Sequence, residues 1–267
     1  MKRTMTLLVL LALAVSVPVT VLGAAKDILE ESPRHHEWVA VNQGDREVQT
    51  FVVYPEVSNK ALAVVIIHEN RGLTDWVRSV ADRIAAAGYI AAAPDLLSGA
   101  GPGGGRTSAF PDSDAAKEAL YKLPPEQITA DLNAVAVYAT GLAAANGKLA
   151  VAGFCWGGSQ TFRFTTNRKD LEAAFVFYGT GPKDSTAYEK VTSPVYGFYG
   201  GDDARVGKTV PVSAEEMKKA GKTYEPVTYD GAGHAFMRRG EDEKPTDANK
   251  KAMEESWERW LGILAEL

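Results

Sequence analysis

Short apolar runs alternate with amphipathic stretches along most of the chain. The apolar runs are bounded by glycine, proline or polar residues, and strands are predicted at 47–54, 61–67, 89–93, 148–152, 172–178, 195–199 and 224–229. The stretches between them carry apolar residues at helical spacing, and helices are predicted at 75–87, 114–123, 126–145, 159–168, 213–220 and 247–264. Apolar strands that alternate with helices predict one α/β domain, with a mostly parallel central sheet and helices on both faces.

Two segments break this alternation. A polar lead of about ten residues precedes the first predicted strand, and its His35 and His36 are expected to be solvated. The glycine-rich segment 98–111 has no periodic pattern, although 99–104 formally matches the G-x-G-x-x-G of dinucleotide sites. Because Pro102 interrupts that match and no helix opens there, we instead predict a mobile loop at the rim of the site.

The N-terminus is a separate segment. Lys2 and Arg3 are followed by an apolar stretch at 7–22 and then by small residues at 23–25. This pattern predicts a cleaved signal peptide over 1–23 and a mature domain over 24–267. The protein would then be periplasmic or secreted, without a stable membrane anchor. An uncleaved anchor is the alternative interpretation.

Composition narrows the possible partners. The chain has 267 residues, 45% hydrophobic and 24% charged, as expected for one soluble domain, and we expect a monomer. The net charge of −5 argues against nucleic acid, because phosphate binding needs a basic face. Cys155 is the one cysteine, so neither an internal disulfide nor a cysteine-based metal site can form. An unpaired thiol in an oxidising compartment is a liability unless it is functional or shielded.

Cys155 lies at the centre of a glycine-rich turn, 153–158 (GFCWGG), between a predicted strand and a predicted helix. This is the G-x-S-x-G nucleophile elbow with cysteine in place of serine. Gly153 and Gly157 stand where such a turn leaves no room for a Cβ. The motif predicts Cys155 as nucleophile and the backbone N–H of Trp156 as an oxyanion donor. A buried core thiol is the alternative interpretation.

A thiol nucleophile needs a base and a group that orients the base. His234 lies in a glycine-rich loop after a predicted strand, and Asp203 follows another strand as G-x-x-D. We predict His234 as the base and Asp203 as its acid, with Asp202 as the alternative acid. The chain order of Cys155, Asp203 and His234 is that of α/β-hydrolases. A second oxyanion N–H is expected from the loop 68–72.

At these motifs the chain resembles the dienelactone hydrolases, a cysteine branch of the α/β-hydrolases. The resemblance spans about 61–267 and rests on 68–72 (HENRG), 94–96 (PDL), 153–158, 200–203 (GGDD) and 231–236 (GAGHAF). It implies an α/β-hydrolase fold. It also implies hydrolysis of small esters or lactones through a thioester acyl-enzyme, with no metal and no organic cofactor.

The resemblance also assigns roles to three residues. It implies that Glu69 contacts and deprotonates the thiol when substrate binds, and that the backbone N–H of Asn70 is the second oxyanion donor. It implies that Arg238, four residues after His234, binds a substrate carboxylate and influences the glutamate. The alternatives are a surface ion pair for Glu69 and a solvated cation, beside Arg239, for Arg238.

One departure from the family concerns a second substrate-binding arginine, which the family has after the Pro-Asp-Leu segment. Here that region is rewritten, and Arg106 and Lys117 are the nearby cations considered. The overall prediction is an exported, cysteine-dependent hydrolase of small carboxylic esters or lactones. The alternatives are a hydrolase of another acyl substrate, such as a thioester or xenobiotic ester, and a catalytically idle member that binds a ligand.

Overall fold

The computed structural model describes residues 25–267, so the predicted signal peptide at 1–23 lies outside the described residues. The strands are β1 (His36–Gln43), β2 (Arg46–Val53), β3 (Ala61–Ile67), β4 (Ile90–Pro94), β5 (Ala145–Phe154), β6 (Ala173–Phe177), β7 (Val195–Gly200) and β8 (Tyr224–Tyr229). The α-helices are α1 (Ala25–Glu30), α2 (Asp75–Ala86), α3 (Ser113–Tyr121), α4 (Pro125–Gly141), α5 (Trp156–Thr165), α6 (Ala204–Gly207), α7 (Val210–Lys219), α8 (Phe236–Arg239) and α9 (Asp247–Ala265).

All the strands belong to one sheet, in the order β1-β2-β4-β3-β5-β6-β7-β8. From β4 to β8 the neighbouring strands are parallel, whereas β2 runs antiparallel to both β1 and β4. The predicted, mostly parallel sheet is therefore confirmed. The carboxyl ends of β3, β5, β7 and β8 meet at one edge, where ligands of such sheets bind.

The core lies on both faces of the sheet. Val65 and Val151 point to one face and pack with Leu132 of α4 and Phe162 of α5. Val64 and Phe175 point to the other face and pack with Ile84 of α2 and Trp260 of α9. Alternate residues of one strand thus serve opposite layers, which is why the strands are continuous apolar runs.

The polar lead differs from the prediction, because it contains β1, which the sequence did not indicate. β1 is an edge strand whose residues are mostly exposed, and only Val41 of the strand is buried. Its apolar pattern is therefore weak. His35 and His36 are exposed, as expected. The predicted helix at 126–145 also ends early, at Gly141, because Ala145 already pairs with Ala61 as the first residue of β5.

Within residues 25–267, no helix is both long enough and apolar enough to cross a membrane.

Candidate active site

The turn between β5 and α5 holds Cys155 in a strained backbone conformation. Its φ of +56° and ψ of −114° lie outside the regions that residues with a Cβ normally occupy. Its N–H donates to the carbonyl oxygen of Phe177 at 3.0 Å, which ties the turn to β6. A Cβ at Gly153 would overlap the carbonyl of Gly157, and a Cβ at Gly157 would overlap the end of β3. The two glycines are therefore required sterically, as the motif predicted.

His234 lies between the cysteine and the aspartate. Its Nε2 is 3.1 Å from Cys155 Sγ, and its Nδ1 is 2.5 Å from Asp203 Oδ2. Asp203 is buried and its other oxygen accepts the N–H of Val206 at 3.2 Å, whereas Asp202 is exposed. Because Nδ1–H donates to the carboxylate, Nε2 is left to accept a proton from the thiol. Of the two candidate acids, Asp203 is the one that reaches His234.

The environment of Cys155 keeps its thiol protonated at neutral pH. Burial raises the pKa of the thiol, and the negative charge of Glu69 raises it further. The backbone N–H groups of Trp156 and Asn70 act in the opposite direction and lower that pKa, because N–H donors near the sulfur favour the thiolate. The two N–H groups expected as oxyanion donors are therefore both near the sulfur.

His68, at the end of β3, is buried and braces the loop that follows. Burial lowers the pKa of its imidazole, so the ring is neutral at pH 7. Its Nε2 accepts the N–H of Leu96 at 3.3 Å, so the hydrogen is on Nδ1, which donates to the Glu69 carbonyl at 2.7 Å. The ring also stacks on Trp156, with centroids 5.7 Å apart. His68 thus links the loop after β3 to the nucleophile turn.

Glu69 is buried, and its partner is Arg238 of α8 rather than a surface cation. Arg238 Nε donates to Glu69 Oε2 at 2.9 Å, and the side chains are 27% and 7% exposed, respectively. Burial acts to lower the pKa of Arg238, but the charge and hydrogen bond of Glu69, together with Tyr178 and Asp242, outweigh burial and raise that pKa. The structure thus brings both residues to the site. Their catalytic and binding roles stay predictions.

A cleft of about 510 Å³ lies against the Glu69–Arg238 pair. Arg106 also lines it, and its guanidinium carbon is 3.4 Å from the centre of the Trp38 ring. A cation at that distance from an indole is attracted by the negative face of the ring. Lys117 is exposed on α3 and does not line the cleft. Of the two cations considered after the Pro-Asp-Leu segment, Arg106 is therefore the one that shares a cleft with Arg238.

The glycine-rich segment 98–111 forms part of the wall of this cleft. It contains two 3₁₀ turns, Pro102–Gly104 and Thr107–Ala109, and Thr107 and Ser108 line the cleft beside Arg106. The segment thus borders the cleft that Glu69 and Arg238 line, and its place at the rim of the catalytic site stays a prediction. Its mobility stays a prediction.

Sequence analysis missed two residues that affect Cys155 and His234. Tyr178, directly after β6, has a φ of +40° and packs edge-on against His234, with centroids 5.2 Å apart. Its buried hydroxyl has no hydrogen-bond partner among the described residues. Arg205, two residues after Asp203, has a charge that lowers the pKa of Cys155. The position of Tyr178 at a strand end was a usable signal, whereas the effect of Arg205 depends on three-dimensional distance.

The arrangement of Cys155, His234 and Asp203, with the backbone N–H groups of Trp156 and Asn70, is suited to acyl transfer. It comprises a nucleophile, a base held in one tautomer and two N–H donors for a developing oxyanion. Among residues 25–267, no group of three or more His, Cys, Asp or Glu side chains is arranged to hold a metal ion. The parallel sheet, the strained turn and the order of the three residues along the chain define an α/β-hydrolase.

The sequence pattern of the dienelactone hydrolase family matches residues 48–267. The chain therefore belongs to the dienelactone hydrolase family, and it is an enzyme of the carboxylic ester hydrolase class that acts on small molecules. The match leaves out β1, and with it Trp38 of the cleft.

Individual relatives agree with this assignment. The chain is 30% identical over 237 residues to the "Putative carboxymethylenebutenolidase" of Salmonella typhimurium, covering 84% of each chain. The crystal structure of "Putative Dienelactone Hydrolase" from Klebsiella pneumoniae has a TM-score of 0.75 and 25% identity, covering 88% of this chain and 99% of that one. A dienelactone hydrolase-like promiscuous phosphotriesterase from metagenomic libraries shares the fold, with a TM-score of 0.73 and 22% identity over 88% of this chain and 98% of its own.

Proposed function

We propose that this protein is an exported, cysteine-dependent hydrolase of small carboxylic esters or lactones, and that it favours substrates that carry an anionic group. The observation that carries the proposal is the contact of His234 with both Cys155 and Asp203, at 3.1 Å and 2.5 Å. A ligand-binding protein has no need of this arrangement, nor of a nucleophile held at a strained φ.

The first half-reaction begins with the Glu69–Arg238 pair. A substrate anion in the cleft draws Arg238 away from Glu69, so the carboxylate becomes free to take the proton of the Cys155 thiol. The thiolate then attacks the carbonyl carbon, and the N–H groups of Trp156 and Asn70 hold the oxyanion that forms. When the oxyanion collapses, the carbon–oxygen bond of the ester breaks, the alkoxide takes up the proton, and a thioester remains on Cys155.

The second half-reaction depends on His234. Its Nε2 accepts a proton from water, and the hydroxide attacks the thioester carbon, while Asp203 stabilises the imidazolium. Collapse of this second oxyanion releases the acid product, and the cysteine sulfur takes back a proton. Every group in the cycle is then restored.

The preference for anionic substrates is supported by the charges in the cleft. Arg71, Arg78, Arg106 and Arg238 all line it, together with Glu69, Asp75 and Asp95. The carboxylate of Asp75 pairs with Arg78, and Asp95 is buried and bonded to Thr107. Once Arg238 releases Glu69, Arg238 and Arg106 are placed to bind a carboxylate.

A screen of short-chain esters and lactones, neutral and carboxylate-bearing, tests the proposal. The wild-type mature chain should turn over members of the panel, and Cys155→Ala should not. Absence of turnover on the whole panel, with Cys155 fully alkylatable, would refute the hydrolase mechanism and favour a ligand-binding protein.

Export is the remaining part of the proposal. It is supported by the basic residues Lys2 and Arg3, the apolar stretch at 7–22 and the small residues at 23–25. Intact mass of the protein recovered from the periplasm or medium tests it.

A further inference from the structure

The side chain of Thr107 connects the glycine-rich segment to the loop after β3. Its Oγ1 accepts the backbone N–H of Leu73 at 3.0 Å and donates its hydrogen to Asp95 Oδ1 at 2.7 Å. Its own backbone N–H donates to Asp95 Oδ2 at 2.9 Å. Both the donor and the acceptor capacity of one hydroxyl are therefore used, and no hydrocarbon side chain could replace it.

Asp95 is a fixed anchor for this connection. It follows β4 directly, is 1% exposed, and also accepts the N–H of Leu97 at 3.1 Å. Asp95 is attached to the central sheet, and Thr107 is bonded to both Asp95 and Leu73. Thr107 therefore holds Leu73 at a fixed position relative to the edge of the sheet.

Close packing reinforces the connection at Gly72, the residue before Leu73. Gly72 has a φ of +79°, and a Cβ there would overlap the side chain of Thr107. The loop thus turns directly against Thr107, in a conformation that glycine adopts at little cost.

The loop held in this way carries Asn70. A turn over 69–72 is closed by a hydrogen bond from Gly72 N–H to the Glu69 carbonyl, 3.3 Å long. His68 donates to that same carbonyl and so holds the start of the turn. Thr107 holds its end, through Leu73. Asn70 lies between these two attachments, and its backbone N–H is close enough to Cys155 to lower the pKa of the thiol.

We infer that Thr107 is a positioning residue, which fixes the backbone N–H of Asn70 where the oxyanion forms; this inference rests on the proposed function. Reactions of Cys155 that build a tetrahedral oxyanion then depend on the Thr107 hydroxyl. Reactions of the same thiol that build none lose only the contribution of Asn70 to the pKa of Cys155, which is the smallest of those that act on the thiol. A loss confined to the reactions that build an oxyanion therefore distinguishes a positioning role of Thr107 from a general disruption of the site, which would slow both kinds of reaction.

Two substitutions at Thr107 test this inference. Thr107→Val keeps the branched shape against Gly72 but neither donates nor accepts, and Thr107→Ser keeps the hydroxyl. Acylation of Cys155 by p-nitrophenyl acetate is measured as the pre-steady-state burst, and alkylation by iodoacetamide as loss of free thiol. Acylation passes through an oxyanion, whereas alkylation displaces iodide without one.

We expect Thr107→Val to slow acylation by about 10- to 100-fold, since a misplacement of about 1 Å costs about that much. Alkylation should stay within about twofold of wild type, and Thr107→Ser should restore acylation to within about threefold. Equal losses in acylation and alkylation, a normal acylation rate in Thr107→Val, or a serine variant as slow as the valine variant would overturn the inference.

Amide hydrogen exchange of peptides that cover 69–76 gives a readout independent of activity. Thr107→Val should speed exchange in this segment, because the Leu73 N–H loses its acceptor, while Thr107→Ser should not. Unchanged exchange in the valine variant would also overturn the inference. If the wild-type enzyme is acylated neither by p-nitrophenyl acetate nor by a carboxylate-bearing ester, the proposed function fails, and hydrogen exchange still decides whether Thr107 holds this loop.

Discussion

Arg238 holds Glu69 by a 2.9 Å hydrogen bond from its Nε, across 169 positions of the chain. The pair is largely shielded from solvent and lies against an arginine-lined cleft. A carboxylate in this position cannot leave its partner without cost, because an unpaired buried charge is strongly unfavourable. An incoming anion that replaces Glu69 on Arg238 offsets that cost. In the proposed mechanism, the contact therefore couples the charge of the substrate to the protonation of Cys155.

The first prediction concerns Arg238→Gln, which removes the charge but keeps a hydrogen-bond donor for Glu69. A charge-assisted hydrogen bond contributes roughly 1.5–3 kcal/mol, and each 1.4 kcal/mol is about tenfold in rate or affinity. We expect kcat/KM for carboxylate-bearing lactones to fall by about 10- to 100-fold and that for neutral esters of similar size to change little. Lys117 is an exposed cation outside the cleft, so Lys117→Gln is the matched control and should leave kcat/KM unchanged for both types of substrate. Equal losses on both substrate types would show that Arg238 does not select for charge.

The second prediction concerns Glu69→Gln, for which two measurements should move in opposite directions. The charge of Glu69 raises the pKa of Cys155, so its removal lowers that pKa and increases the thiolate fraction at pH 8. Alkylation of Cys155 at pH 8 should become faster by about 2- to 10-fold, and its pH profile should shift to lower pH. Ester turnover should fall by about 10- to 100-fold, because the acceptor of the thiol proton is lost. Slower alkylation together with normal turnover would exclude both roles of Glu69.

The third prediction concerns the nucleophile. Cys155→Ala should abolish ester turnover while the melting temperature changes little, because the substitution keeps the Cβ and removes one partly buried atom. Cys155→Ser should also be poor, since a hydroxyl is much harder to deprotonate than a thiol. Inactivation of the wild-type enzyme should follow the incorporation of iodoacetamide. An enzyme that stays active after stoichiometric labelling would need another nucleophile.

The sequence predicted correctly those parts of the fold that depend on residues close together along the chain. β3 and β8 have the predicted bounds, and the elbow glycines lie where a Cβ would overlap backbone. The strand β1 was missed because an edge strand with one solvated face has no strong apolar pattern. The family resemblance named Glu69 and Arg238 and implied that the arginine influences the glutamate. The spacing of residues along the chain does not reveal their contact, because α8 and the end of β3 meet only in the folded chain.

The glycine-rich segment shows a second limit of sequence analysis. It had no period, so it was interpreted as a loop, and nothing local marks Thr107 as different from the serines and glycines around it. Its hydroxyl acquires a role because the end of β4 places Asp95 next to it and the loop after β3 places Leu73 next to it. A polar bridge between two strand ends depends on sheet order, which the spacing of residues along the chain does not reveal.

The fourth prediction concerns export. Full-length protein expressed with its own N-terminus should be recovered outside the cytoplasm with a first residue near Ala24 or Ala25, as measured by intact mass. Replacement of Leu10 and Leu11 with arginine interrupts the apolar stretch and should leave the chain uncleaved in the cytoplasm. An exported wild-type chain whose mass includes residues 1–23 would argue for the uncleaved anchor instead.

The last prediction separates the two neighbouring aspartates. Asp203 uses one oxygen for His234 and the other for the N–H of Val206, at the start of α6. In Asp203→Asn, the amide oxygen can keep Val206 as its donor, and the amide NH₂ then faces His234 Nδ1. The imidazole must accept there, so its hydrogen moves to Nε2, which can no longer take a proton from the water that attacks the thioester.

We therefore expect Asp203→Asn to lower kcat by about 10²- to 10⁴-fold with little change in KM or in melting temperature. Asp202→Asn removes the same charge at the adjacent, exposed residue and should lower kcat by less than about threefold. Alkylation of Cys155 by iodoacetamide should persist in both variants, because it needs no proton transfer from Nε2 to a leaving group. The reverse ranking of the two variants would assign the orienting carboxylate to Asp202 and would require the loop after β7 to rearrange when substrate binds.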